Sequence, residues 1–135
     1  MYRKIDHLGI AVRSLNEALS LYGKAFGLHP TTVEEVADQR TRVAFIPVGE
    51  SRIELLEGTS TDSHIAKFLS RRGEGIHHVC FEVDDILEEL ARLRAAGVRL
   101  VDEAPRSGAE GSLVAFVHPS STRGVLIELT QRTKP

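Results

Sequence analysis

The chain has 135 residues, a single cysteine (Cys80) and no tryptophan. One thiol cannot close an internal disulfide, so a disulfide scaffold and a cysteine-based zinc site are both excluded. There is no excess of positive charge: 17 Lys and Arg stand against 19 Asp and Glu, for a net charge of -2. That balance argues against a nucleic-acid backbone as the main partner. No apolar run approaches the roughly 20 residues that span a bilayer. The first residues meet an acid at Asp6 and contain no apolar signal core. No linker or low-complexity tract interrupts the chain. What is present is 41% hydrophobic residues, enough for the core of one ordinary domain. The expectation is a small soluble protein of the cytoplasm. Its six histidines and its carboxylates must supply any metal or acid–base chemistry.

The sequence repeats itself. Shifted by 71 positions, Ile5, His7 and Val12 fall on Ile76, His78 and Val83, and Glu17 and Leu19 fall on Glu88 and Leu90. Val43-Ala44-Phe45 falls on Val114-Ala115-Phe116 at the same shift. Glu54 then meets Glu128 if the second copy gains three residues around Pro119-Ser120-Ser121. An ordered series at one offset across strand-like and helix-like segments points to a duplicated unit.

Each copy reads as a strand, a helix and further strands. Residues 4–12 are rich in β-formers. Ser14 with Glu17 makes a capping box, and Leu15, Ala18, Leu19, Tyr22 and Phe26 follow at helical spacing up to Gly27. In the second copy the strand is 76–83, Asp85 caps with Glu88, and Gly97 stops the helix. Further strands are expected at about 30–36, 42–48 and 51–57, and at 98–102, 113–118 and 124–131, with a short helix at 62–72 between the copies. The expected fold is α+β: two βαβββ modules, about 4–58 and 75–131, forming a curved, mostly antiparallel sheet around a metal site within one domain, 1–135. Neither half alone carries much core, so the halves should pack together or across a dimer.

Alternation along the strands sets which side chains share a face. Leu8, Ile10 and Val12 make one apolar face, and Val79, Phe81 and Val83 make another. These faces want the helices. His7, Glu54, His78 and Glu128 then all point the other way, as a set related by a pseudo-twofold. Two imidazoles and two carboxylates suit zinc, cobalt, nickel, manganese or iron(II) without distinguishing them well. Four such ligands leave two octahedral positions for substrate oxygens.

Other candidates read as structural. His77 points to the helix face and supports its surroundings. His118, before Pro119, either lines the mouth of the cavity or bonds within a turn. His29 and His64 are surface residues, and Cys80 is a small filler. Arg71-Arg72 is a solvated helix end. Gly108-Ala109-Glu110-Gly111 is too sparse for a phosphate loop and fits a mobile loop or a plain hairpin.

These modules resemble the vicinal-oxygen-chelate superfamily, which includes glyoxalase I and the extradiol dioxygenases. Within it the chain is most similar to the methylmalonyl-CoA epimerase family, from about residue 4 to 131. The stretches that carry the likeness are Lys4-Ile5-Asp6-His7-Leu8-Gly9-Ile10-Ala11-Val12, Arg52-Ile53-Glu54-Leu55-Leu56-Glu57, Ile65-Ala66-Lys67-Phe68-Leu69, Gly73-Glu74-Gly75-Ile76-His77-His78-Val79, and Phe116-Val117-His118-Pro119 followed by Gly124-Val125-Leu126-Ile127-Glu128-Leu129. The Gly-Glu-Gly-Ile-His-His and Ala-Lys-Phe-Leu runs are more specific than the metal pattern, which glyoxalase I shares.

The resemblance implies an enzyme that interconverts (R)- and (S)-methylmalonyl-CoA by metal-assisted 1,1-proton transfer through an enolate. By the family's pattern the metal ligands are His7, Glu54, His78 and Glu128, and the metal is Co2+, with Mn2+, Ni2+ or Zn2+ as alternatives. Some members carry Gln where this chain has Glu54. Epimerisation asks for bases on both faces of the α-carbon. Glu128 is the first candidate for one of them. Some relatives have Glu where this chain has Val43, which cannot move a proton, so Glu54 becomes the candidate for the second. Ser120 replaces a Lys found in many relatives after His-Pro. The alternatives are a glyoxalase I-like hemithioacetal isomerase and a non-enzymatic small-molecule-binding protein of the same fold. The expected partners are an acyl-CoA thioester and a second copy of the chain in a homodimer, with no nucleic acid and no membrane.

Overall fold

The computed structural model describes residues 1–132. Along the chain run β1 (Tyr2–Ala11), α1 (Leu15–Phe26), β2 (Thr32–Val36), β3 (Thr41–Val48), β4 (Ser51–Gly58), α2 (His64–Arg72), β5 (Gly75–Val83), α3 (Ile86–Ala95), β6 (Arg106–Ser107), β7 (Leu113–Val117) and β8 (Ile127–Gln131). Two compact units result: His7–His77, and Met1–Asp6 with the chain from His78 onward. β1 and β5 each pass from one unit into the other. Among the described residues no helix is long and apolar enough to cross a membrane.

In the unit His7–His77 the strand order is β2-β3-β4-β1. β2/β3 and β3/β4 are antiparallel, and β1/β4 is parallel. The expected capping box opens α1: Ser14 accepts from the Glu17 N–H, and Gly27 closes the helix at φ 68°. The Leu15 N–H, otherwise an orphan donor of the first turn, donates to Glu57 at 2.9 Å. One sheet face packs Val12, Ala44, Ile46 and Leu55 with Leu15, under Ala18, Leu19 and Tyr22 of α1. The opposite face packs Ala11, Val43, Phe45 and Leu56 against Ile65 and Phe68 of α2. Ser63 caps α2 by accepting from the Ala66 N–H at 3.0 Å. The capping hydroxyl comes so close to Gly58, the last residue of β4, that a Cβ there would collide with it.

In the other unit the order is β1-β5-β8-β7-β6, with Met1–Asp6 supplying β1. β5/β8 is parallel; β7/β8 and β6/β7 are antiparallel. Asp85 caps α3 by accepting from the Glu88 N–H, and Gln131 accepts from the Ile86 N–H at 2.8 Å. The core is Val83, Ile86, Leu90, Leu100, Ala115, Val117 and Leu129.

One expected strand does not form. Residues 98–102 contribute a single bridge, Leu100 with Val117. The reason lies at Asp102. The Val101 and Asp102 N–H groups both turn to the Phe116 carbonyl, and the Asp102 carboxylate accepts from the Phe116 N–H at 2.8 Å. A side chain takes the place of the backbone acceptor that a ladder needs. Pairing resumes beyond Pro105, where Arg106 and Ser107 face Val114 and Leu113. The last three residues of the expected domain, 133–135, lie outside the described residues.

Candidate active site

In the unit His7–His77, β1 carries His7 and the adjacent parallel strand β4 carries Glu54. The register sets His7 opposite Arg52 and Gly9 opposite Glu54. His7 Nδ1 lies 3.2 Å from Glu54 Oε2. Arg52 Nη2 donates to the same oxygen at 3.1 Å. Phe45, the register partner of Glu54 on β3, lies beneath the Arg52 guanidinium, 5.0 Å from ring centre to guanidinium carbon.

In the other unit, β5 carries His78 and the parallel strand β8 carries Glu128. His78 Nε2 lies 3.1 Å from Glu128 Oε1. The His78 ring meets Phe116 edge-on, with centres 5.7 Å apart. Phe116 and Cys80 are the register partners of Glu128 on its two sides, and Cys80 is fully buried, as a filler would be.

The two units therefore each hold one His–Glu pair on a pair of parallel strands. All four side chains belong to residues no more than 9% exposed. Burial of a carboxylate is costly without a compensating partner, and each carboxylate here has an imidazole beside it. The spacing has a chemical meaning. Two ligands at about 2.1 Å from a divalent ion and at right angles to one another sit about 3.0 Å apart. Pairs at 3.1 and 3.2 Å thus each match two adjacent ligands of one ion. The donor set, neutral nitrogen with anionic oxygen, fits a borderline divalent cation.

The remaining candidates fall into place individually. His77 is half-buried and meets Phe68 of α2 edge-on at 5.0 Å, a packing role. His118 Nδ1 accepts from the Ser120 N–H at 3.0 Å, so its acceptor nitrogen is spent within the turn. His29 and His64 are exposed. Arg72 lies over the Phe68 ring at 5.9 Å. Val43 is buried on the face shared by Glu54 and Leu56, among Ala11, Phe45 and Leu56.

Three arrangements escaped the sequence reading. Arg52 was visible only as the residue two before Glu54, which alternation places on the same face. Asp6, buried, receives a two-pronged bond from Arg132 at 2.8 and 2.9 Å, 126 residues away, and nothing in the spacing signals it. The Tyr2 hydroxyl donates to Glu89 at 2.5 Å, while Arg92 donates to both Glu89 oxygens at 3.1 and 2.6 Å. Burial, reinforced by the Glu89 carboxylate, pushes the Tyr2 phenol up to about 12. The Arg92 guanidinium holds the Glu89 carboxyl below its usual range.

Residues 6–116 match the model of the Glyoxalase/Bleomycin resistance protein/Dioxygenase superfamily. The ethylmalonyl-CoA/methylmalonyl-CoA epimerase of Cereibacter sphaeroides is 38% identical over 97% of this chain and 99% of that one. The mitochondrial methylmalonyl-CoA epimerase of Dictyostelium discoideum is 37% identical over 96% of this chain and 78% of that one. Among solved structures, a variant of the Streptomyces coelicolor methylmalonyl-CoA epimerase, in complex with 2-nitronate-propionyl-CoA, superposes with a TM-score of 0.93. It is 34% identical and the match covers all of both chains. Matched along nearly its whole length by enzymes of one kind, and over residues 6–116 by one superfamily model, the chain belongs to the methylmalonyl-CoA epimerase family of the Glyoxalase/Bleomycin resistance protein/Dioxygenase superfamily.

Proposed function

We propose that this protein interconverts the (R) and (S) epimers of methylmalonyl-CoA, and that His7, Glu54, His78 and Glu128 together hold one divalent metal ion. The observation that carries the reading is the pair of buried His–Glu couples, one in each unit, at 3.2 and 3.1 Å. The full-length likeness to named epimerases supports the substrate class, an acyl-CoA thioester. We further infer a single domain built from repeats 4–58 and 75–131, acting as a homodimer in the cytoplasm. Co2+ is the favoured ion, with Mn2+, Ni2+ or Zn2+ as alternatives.

Held by His7, Glu54, His78 and Glu128, a divalent ion would supply Lewis-acid polarisation of carbonyl and carboxylate oxygens. The chain's own residues have two tasks. The first is orientation: each imidazole, packed and buried, fixes the carboxylate beside it. The second is proton transfer at the α-carbon. Inversion requires a proton to leave one face and a proton to arrive at the other. Glu128 serves one face. Glu54, its counterpart in the first module, serves the other. The apolar neighbours Val43, Phe45 and Phe116 offer no competing proton carrier; Val43, in particular, leaves Glu54 as the acid–base group on its face of β3 and β4.

The deciding experiment is one incubation. Metal-loaded protein and a single epimer of methylmalonyl-CoA are mixed in deuterated water; α-deuterium is followed by mass and chirality by circular dichroism. Loss of the optical signal with one deuterium gained is the expected result. No exchange with Co2+, Mn2+, Ni2+ or Zn2+ would overturn the assignment.

A further inference from the structure

Arg52 stands two residues before Glu54 on β4 and therefore on the same strand face. Its Nη2 donates to the Glu54 oxygen that also faces His7 Nδ1, at 3.1 and 3.2 Å respectively. The guanidinium is itself held in place. It lies over the Phe45 ring at 5.0 Å, and its strand position is opposite His7 on β1. A guanidinium is a planar, permanently charged donor, and it orients a carboxylate more firmly than a lone ammonium does. The second module has no such donor at the corresponding place. Glu54 corresponds to Glu128, and two residues before Glu128 stands Leu126, which carries no charge and cannot donate from its side chain. The duplicated unit has kept its two carboxylates and made their strand neighbours unlike.

We infer that Arg52 is a positioning residue for Glu54, and that it makes the two proton-transfer faces of the site unequal. This rests on the epimerase reading above. The Glu54 carboxylate sits on a flexible side chain with several rotamers. Arg52 and His7, acting on one oxygen, select one of them. Without Arg52 the carboxylate is free to turn along β4 towards the space the guanidinium leaves. Glu128 keeps its own surroundings, His78, Phe116 and Cys80, in the other unit. Proton transfer on the Glu128 face continues, while delivery on the Glu54 face loses its aim.

The test compares the wild-type protein with R52L, which installs the residue of the second module, and with R52K, which keeps the charge and loses the planar fork. Each protein is titrated with Co2+ calorimetrically, and its thermal unfolding is recorded. Each is then incubated, Co2+-loaded, with each epimer in turn in deuterated water. Deuterium gained with retention of configuration is separated from deuterium gained with inversion. In R52L, inversion falls about 10- to 100-fold and Co2+ binding weakens by a similar factor, the usual effect of removing a group that orients a ligand. For the epimer whose α-hydrogen faces Glu128, the ratio of retention to inversion rises, because that face still exchanges. R52K lies between R52L and the wild type. A wild-type ratio together with wild-type Co2+ affinity in R52L overturns the inference, even if the total rate drops with a lowered melting temperature. If R52L does not fold, R52K is read alone: a raised ratio supports the role, and a wild-type ratio with wild-type Co2+ affinity overturns it. If the wild type itself neither exchanges nor inverts, the epimerase reading has failed, and the Co2+ affinity of the variants decides the role of Arg52 by itself.

Discussion

His78 Nε2 and Glu128 Oε1 lie 3.1 Å apart, both buried, on the parallel strands β5 and β8. His7 and Glu54 repeat this relationship on β1 and β4 at 3.2 Å. A buried imidazole–carboxylate couple is an ordinary structural device when it occurs once. Its recurrence at corresponding places of two modules supports the shared task proposed for it.

In the proposed mechanism, Glu128→Gln keeps an oxygen ligand and removes the base. Inversion in deuterated water is expected to fall about 10²- to 10⁴-fold, the range typical of losing a general base. Metal content, measured by elemental analysis, stays near that of the wild type. A variant that inverts at the wild-type rate would remove Glu128 from the mechanism.

His78→Ala removes a nitrogen donor and leaves Glu128 buried without its imidazole. Co2+ affinity is expected to drop at least about tenfold, and unfolding shifts to lower temperature because the carboxylate loses its partner. His118→Ala serves as the contrast. It breaks only a turn contact to the Ser120 N–H, so its Co2+ affinity remains that of the wild type.

The Tyr2–Glu89–Arg92 cluster predicts how stability depends on pH at both extremes. The Glu89 carboxyl titrates below its usual value in the folded protein, chiefly through Arg92. Its contribution is full above the unfolded value and disappears as pH falls through the folded one, because the unfolded chain binds the proton first. The Tyr2 phenol is raised to about 12 by burial and by Glu89. Its contribution is therefore present below the ordinary phenol range, about 10, and is lost as pH rises from there to about 12. Tyr2→Phe should flatten the alkaline limb of the melting temperature, and Glu89→Gln the acid limb. Unchanged limbs in both variants would assign the pH dependence elsewhere.

Gly58→Ala tests the packing of α2. An added Cβ would collide with the Ser63 hydroxyl, which caps the helix by accepting from the Ala66 N–H. Displacing the cap and shifting the strand end should cost about 1–3 kcal/mol, read as a lowered denaturant midpoint. A wild-type midpoint would show that the loop after β4 yields without loss.

Much of the architecture was legible because it depends on neighbours in sequence. The caps Ser14 and Asp85 and the terminator Gly27 act within one turn, so their spacing alone announced α1 and α3. Alternation along single strands placed His7 and Glu54 on the face away from α1, and His78 and Glu128 on the face away from α3, and the 71-residue shift linked the two sets. A period of two is a property of the strand itself, so no tertiary information was needed. That α2 packs on the same face as His7 and Glu54 was not expected.

Tertiary structure decided what depends on register and on distant partners. That Arg52 and His7 meet one oxygen of Glu54 follows from the parallel pairing of β1 with β4, strands more than 40 residues apart. Whether 98–102 became a strand turned on the Asp102 carboxylate reaching the Phe116 N–H, a competition that propensity does not register. The Asp6–Arg132 pair joins positions 126 residues apart. Local periodicity tells which way a side chain faces; only the fold, by closing long loops and fixing which strands lie side by side, determines what it faces.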